Sequence, residues 1–226
     1  MPAAEVGLFD DRTPAKLKGK EWENEVLKSC EIEPHICGGR YGVKASGTPD
    51  NMRMVKSLPD LEGCVCSGVQ WIAEAKVITT SASYSITSRI KHDGSYKQLS
   101  HLLERSEYGA ITMFLLHFNQ RELSKSTVSP CSFAVPVHPR HPLWQSILLM
   151  EQLSITRADC TFHGVPIEWG LLTARSSRHR PRMTTALQAV NGILELYRDP
   201  RARRDAWRDA PIWKTKKKVK RGKSTD

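Results

Sequence analysis

The segment "GAITMFLLHF", residues 109–118, is apolar almost without interruption over the length of a strand. A strand with one face in water alternates apolar and polar side chains, so an unbroken run belongs to a strand buried centrally in its sheet. Other layers of structure must then cover it. Four stretches have helical apolar spacing: 15–30 (Trp22, Val26, Leu27, Cys30), 95–106 (Leu99, Leu102, Leu103), 142–153, and 184–198 (Leu187, Val190, Leu194, Tyr197). Strands are expected at 60–66, 69–77 and 131–137, with 161–173 also extended. Pro136 places the strand at 131–137 on an edge or makes 136 a strand end. The order predicts an α/β sandwich around a mixed sheet, without internal repeats. Residues 34–53, "PHICGGRYGVKASGTPDNMR", have no period and are rich in Gly, Pro and Ser, which predicts a long irregular connection.

A chain of 226 residues with 39% hydrophobic and 26% charged residues supports one core. The expected division is an N-terminal arm over 1–14, a domain over 15–197 and a basic tail over 198–226. The tail holds twelve Lys or Arg against four Asp, a net +8 out of the +10 of the whole chain. A near-neutral body with a basic tail suits electrostatic capture of a polyanion such as nucleic acid, with Lys216, Lys217, Lys218 and Arg221 as candidate phosphate contacts. A solubility tail, or a nuclear address at 214–223, remains open. Trp207 and Trp213 could stack on bases or pack back on the domain. No apolar run approaches the ~20 residues of a membrane span, and the N-terminus lacks the pattern of a signal peptide. The expected location is therefore intracellular, in cytoplasm or nucleoid, or in the nucleus or host cytoplasm for a eukaryotic or viral chain. The six cysteines are then expected to be reduced. Cys64 and Cys66 lack partners for a zinc site, which leaves packing as their expected role.

Glu74-Ala75-Lys76 lies inside the second expected strand, between apolar neighbours that include Trp71, Ile72 and Val77. Alternate strand residues share a face, so Glu74 and Lys76 project together while Ala75 points the other way. A solvent-facing ion pair is the simplest explanation. Asp60, after Pro59, suggests another. If 60–66 and 69–77 form a hairpin, a two-residue loop pairs 60 with 75 and puts Asp60 on the wrong face. A three-residue loop, Cys66-Ser67-Gly68, pairs 60 with 74 and gathers both carboxylates on one face. The second geometry makes a metal site possible and requires Gly68 to adopt the left-handed conformation.

Pro59-Asp60 followed by Glu74-Ala75-Lys76 resembles the signature of the PD-(D/E)xK nucleases. Gly19-Lys20-Glu21-Trp22-Glu23 and Asp60-Leu61-Glu62-Gly63 resemble motifs of the RecU-like Holliday-junction resolvases within that group, and Gln98 falls in their order. The resemblance spans roughly 17–120, with Trp22 and Leu61 standing where those proteins carry Phe. It implies an αβββαβ restriction-endonuclease-like core with a mixed central sheet flanked by helices, and hydrolysis of DNA phosphodiesters. It further implies Mg²⁺, with Mn²⁺ a possible substitute, held by Asp60, Glu74 and the backbone carbonyl of Ala75. Glu23 would serve a second metal or its water shell, and Lys76 would orient the attacking water or stabilise developing charge. Symmetric cutting of a branched DNA implies a homodimer.

Beside this set, Asp50 follows another proline and is read as a turn residue, and Glu62 as a strand-face residue. Thr79, Thr80 and Ser81, Arg40 and Lys44, and Gln98 are candidate DNA contacts that are equally ordinary surface groups. His138 and His141 read as loop residues rather than ligands. Rival functions are a restriction-like or repair nuclease acting on duplex DNA or ends, and a non-catalytic nucleic-acid-binding protein that keeps the fold.

Overall fold

The computed structural model describes residues 13–40, 44–46, 53–55, 59–79, 83–86, 95–123, 126–173 and 177–198. Helix α1 (Gly19–Ile32) precedes β1 (Ile36–Arg40), the short strands β2 (Lys44–Ser46) and β3 (Arg53–Val55), β4 (Leu61–Val65), β5 (Gln70–Ile78) and β6 (Ser83–Ser85). Next come α2 (Ser95–Glu107), β7 (Ile111–Phe118), β8 (Arg121–Leu123), β9 (Ser126–Val128), β10 (Cys131–Pro136), α3 (Pro142–Leu148), β11 (Ser154–Thr156) and α4 (Arg157–His163). The short β12 (Val165–Pro166), β13 (Trp169–Gly170) and β14 (Arg180–Pro181) lead to α5 (Met183–Arg198).

Six strands form the central sheet in the order β1-β4-β5-β7-β10-β12. The β5–β7 pair is parallel and is connected through α2, and every other neighbouring pair is antiparallel. Taken in chain order, α1, β1, β4, β5, α2 and β7 make an αβββαβ core. All eight residues of β7 are buried, as its unbroken apolar run requires. Alternation along β5 divides the interior in two. Trp71, Ala73 and Ala75 pack with Trp22 and Val26 of α1 and Leu187, Val190 and Leu194 of α5. Ile72 and Ile78 pack on the other face with Leu99 and Leu102 of α2 and Trp144 of α3. Glu74 and Lys76 share that second face.

The connection predicted at 34–53 is instead partly regular. Residues 36–40 form an outer strand of the central sheet, and β2 pairs with β3. The glycines that suggest a loop have a packing role. Gly38 lies opposite Gly63, which lies opposite Trp71. The indole crosses both glycines and donates from Nε1 to the carbonyl of Cys37 at 2.9 Å. A Cβ on Gly38 would stand 2.7 Å from Trp71 Cζ2, and one on Gly63 only 1.9 Å from the Cys37 carbonyl oxygen.

Other expectations also need correction. Of the two alternatives for Pro136, the strand end holds and the edge does not: β10 lies inside the sheet and Pro136 is its last residue. The helix predicted over 142–153 ends at Leu148, with Met150 in a left-handed turn (φ 57°). Residues 161–163, the start of the stretch expected to be extended, belong to helix α4, which is started by reciprocal bonds between Thr156 and Asp159. All six cysteines are free thiols, but only Cys30, Cys131 and Cys160 are buried. Cys64 is exposed because it projects from the face opposite that of Leu61, at the outer β1–β4 pair, and Cys66 because it lies in the loop after β4, so neither serves core packing. Among the described residues, no helix is long and apolar enough to cross a membrane.

Candidate active site

The β4–β5 hairpin fixes the geometry. Leu61 pairs with Ala73 and Cys64 with Gln70, which brings residue 60 opposite residue 74. The loop closes with Val65 N–H donating to the Val69 carbonyl at 3.0 Å and Gly68 N–H to the Val65 carbonyl at 2.8 Å. Gly68 has φ 80°, the left-handed conformation that a three-residue loop requires there. Asp60 and Glu74 therefore share a face.

Lys76 Nζ lies between the two carboxylates. It donates to Asp60 Oδ2 at 3.0 Å and makes a short ion pair with Glu74 Oε1. Asp60 Oδ2 also accepts the Ala75 backbone N–H at 3.2 Å, which ties the start of β4 to the middle of β5. The Glu74 side chain has no exposed surface, whereas those of Asp60 and Lys76 retain 19% and 18%. Glu74 Oε2 is buried without a hydrogen-bond partner among the described residues. Burial raises the Glu74 pKa to about 7; Lys76 opposes the shift and Asp60 reinforces it. Burial works against the Lys76 ammonium, but Glu74 and Asp60 outweigh it and raise its pKa above the ordinary lysine value.

Glu23 approaches from α1. Its pKa is raised by burial and by the Asp60 charge, against the lowering effects of Arg40, Lys76 and Lys20. Arg40, at the end of β1, donates to Glu23 Oε2 at 2.9 Å and to Asn24 Oδ1 at 2.9 Å. Three stretches distant in sequence thus bring four residues to one electrostatic centre: Glu23, Asp60, and Glu74 with Lys76. Sequence spacing does not reveal the Arg40–Glu23 pair, because the strand that carries Arg40 reads as loop.

The remaining candidates fall elsewhere. Gln98 is buried on α2. Glu62 is a strand-face residue whose carboxylate accepts from Gln70 Nε2 at 3.3 Å. Thr79 is exposed just beyond β5 and lines an open cavity with Lys16, Gln120, Arg121 and Glu122. His138 and His141 are buried, with His138 stacked on Tyr197 and His141 Nδ1 accepting from the Leu143 N–H at the start of α3. Arg198, grouped with the tail by charge, ends α5 and bonds to Glu195 and the Ala110 carbonyl. The side chain of Lys44, the residues Asp50, Thr80, Ser81, Trp207, Trp213, Lys216, Lys217, Lys218 and Arg221, and most of the predicted arm lie outside the described residues.

Among the described residues, no three His, Cys, Asp or Glu side chains stand together as a ready-made metal cage. The residues nevertheless fit a hard cation. Glu74 Oε2 is an unpaired buried carboxylate oxygen, Asp60 supplies a second carboxylate on the same face, and oxygen donors are what Mg²⁺ and Mn²⁺ prefer. The Lys76 ammonium is the positive charge that now lies between the two acids.

No protein-family model and no curated protein matches the chain. Among solved structures, it is similar to Hjc of Archaeoglobus fulgidus, described as a Holliday junction resolvase from an archaeal hyperthermophile. The match has 13% identity and a TM-score of 0.34, and covers 66% of this chain and 95% of that one. At that score the likeness carries no argument about what this chain does.

Proposed function

We propose that the protein is a divalent-metal-dependent DNA endonuclease, and that its substrate is a branched DNA of the Holliday-junction type, cut by a homodimer. The carrying observation is the convergence of Asp60, Glu74 and Lys76, with one Glu74 oxygen buried and unpaired. Lys76 offsets part of the several kcal/mol that burying the Glu74 carboxylate costs, but the second oxygen has no partner among the described residues, so stability alone does not account for it. Asp60 and Glu74, with the Ala75 carbonyl, would hold Mg²⁺ or Mn²⁺, and Glu23 would contribute to a second ion or its water shell. Such a cation supplies Lewis acidity, lowering the pKa of water and offsetting charge on the phosphoryl oxygens.

The chain's own residues do the rest. The buried wall of Ile72, Ile78 and Phe114 behind Glu74 keeps the local dielectric low and strengthens every charge interaction in front of it. Lys76 Nζ, held at the mouth by Asp60, is the donor that can turn from carboxylate to phosphate as negative charge builds on phosphorus-bound oxygen. Arg40 orients Glu23 and limits its repulsion of the incoming polyanion. The basic tail supports capture of DNA independent of sequence.

Cleavage of a synthetic four-way junction compared with linear duplex of the same arms tests the substrate. The proposal predicts paired symmetric incisions in the junction and little cutting of the duplex. Equal or preferential cutting of the duplex would replace the resolvase by a duplex-acting nuclease, and cutting of neither would end the nuclease reading.

A further inference from the structure

The centre described above is surrounded by acids, so a phosphodiester brought to it must be held by cations placed to its side. An open cavity of about 410 Å³ lies just past the C-terminal ends of the parallel strands β5 and β7, lined by Lys16, Thr79, Gln120, Arg121 and Glu122. We propose that this cavity binds a backbone phosphate of the DNA strand flanking the cut, through Lys16 and Arg121 with Thr79 and Gln120 as hydrogen-bonding partners. The inference rests on the nuclease reading and extends it to residues that the resemblance does not implicate.

The cavity is built on three chain segments locked together by backbone and amide bonds. Asn119 Oδ1 accepts the Leu17 N–H at 2.8 Å, and its Nδ2 donates to the Leu17 carbonyl at 3.0 Å. The Gln120 N–H donates to the Ala15 carbonyl at 2.7 Å, and the Asn119 N–H to the Ile78 carbonyl at 3.0 Å. Residues 15–17, 78–79 and 119–121 are thereby held in fixed relation, although 102 positions separate Leu17 from Asn119. Such preorganisation removes the backbone share of the ordering cost of binding.

Its charge also suits a phosphate. Neither Lys16 nor Arg121 takes part in an ion pair among the described residues. Glu122 also lines the cavity, so its one carboxylate stands against two cations and the lining stays net positive. A guanidinium, an ammonium, a hydroxyl and a carboxamide together match the several acceptor oxygens of a phosphodiester. Position agrees as well. Thr79 lies three residues beyond Lys76, about 10 Å along an extended chain, and the odd spacing turns it to the other face at the end of β5. That separation excludes the phosphate under attack and leaves the cavity to a more distant phosphate of the same strand.

The test is binding of a fluorescein-labelled duplex oligonucleotide in EDTA over a range of salt, by wild type, Lys16→Ala, Arg121→Ala and the double variant. Each single substitution is expected to weaken binding and reduce the slope of log K against log salt by about 1, and the double variant by about 2. Arg121→Lys should restore most of the slope. Thermal midpoints should stay at the wild-type value, because neither side chain has a bonded partner among the described residues. An unchanged slope in the double variant, with wild-type DNA binding intact, overturns the subsite. Binding is read without metal, so loss of the proposed reaction does not mimic that result: a chain that binds DNA with the predicted slopes but never cuts it refutes the nuclease reading and leaves the subsite standing. A wild-type chain that does not bind the duplex overturns the subsite and leaves the nuclease reading to the junction-cleavage test.

Discussion

Glu74 shows most clearly how the proposed function would work against stability in this fold. Its neighbours on the same face of β5 are Ile72 and Lys76; Lys76 pairs with one of its oxygens but also has Asp60, and the other oxygen has no partner among the described residues. Removing the charge while keeping the shape should therefore relieve the folded state. Glu74→Gln is expected to abolish metal-dependent cleavage with a thermal midpoint no lower than wild type; a drop of many degrees by calorimetry would mean that the carboxylate is structural. A buried histidine has the opposite relation to stability. His117 lies between Trp22 and Trp169 and bonds Ser132 Oγ at 2.9 Å, and burial lowers its pKa to about 4. The unfolded chain binds the proton near the ordinary pKa of 6.5 given for the free side chain. Its contribution is thus complete above that pH and is lost as the pH falls from 6.5 towards 4, amounting to about 2 kcal/mol at pH 4.5. Denaturant midpoints at pH 7 and 4.5 should differ less in His117→Gln than in wild type, and an equal difference would reject this assignment. Asp60, Glu74 and Lys76 are legible in the sequence because strand parity and an odd loop bring them together. The Arg40–Glu23 pair and the Lys16–Arg121 cavity are not, because each depends on contacts between segments far apart in the chain.

At the scale of elements, alternation and continuous apolar runs identify β4, β5, β7 and β10, and helical spacing identifies α1, α2 and α5. The stretches that sequence misreads are those where tertiary contacts decide the outcome. Strand β1 contains two consecutive glycines, a poor strand signal in isolation. Gly38 and Gly63 nevertheless let the Trp71 indole lie flat across the outer strands, the means by which an aromatic side chain covers glycine in a sheet. Gly63→Ala should therefore cost about 2 kcal/mol or more, since the added methyl meets the Cys37 carbonyl and the rigid indole together. Gly39→Ala, with open space at its Cβ, is the matched control and should cost less than 1 kcal/mol. Equal urea midpoints for the two variants would contradict this account of the edge. Helix α4 escapes a periodicity search because it is seven residues long and owes its start to the local Thr156–Asp159 cap.

Over the whole molecule, the sheet carries each part of the proposed chemistry to one region. The β4–β5 hairpin presents Asp60 opposite Glu74, α1 brings Glu23, and the strand ends of β5 and β7 open onto the cation-lined cavity. The additional strands β10 and β12 widen the sheet beyond the αβββαβ core and bury β7 completely. Charge is divided on the same scale, with most of the net positive charge in 198–226 and the acids at the centre of the domain. The central claim is that Asp60 and Glu74 hold a metal that cuts DNA. Its most direct test is incision of a four-way junction by wild type and Asp60→Ala in parallel, with Mg²⁺, with Mn²⁺ and in EDTA. The account predicts incision by wild type with either metal, none in EDTA, and none by Asp60→Ala although that variant still binds the junction; incision by Asp60→Ala, or by wild type in EDTA, would contradict it.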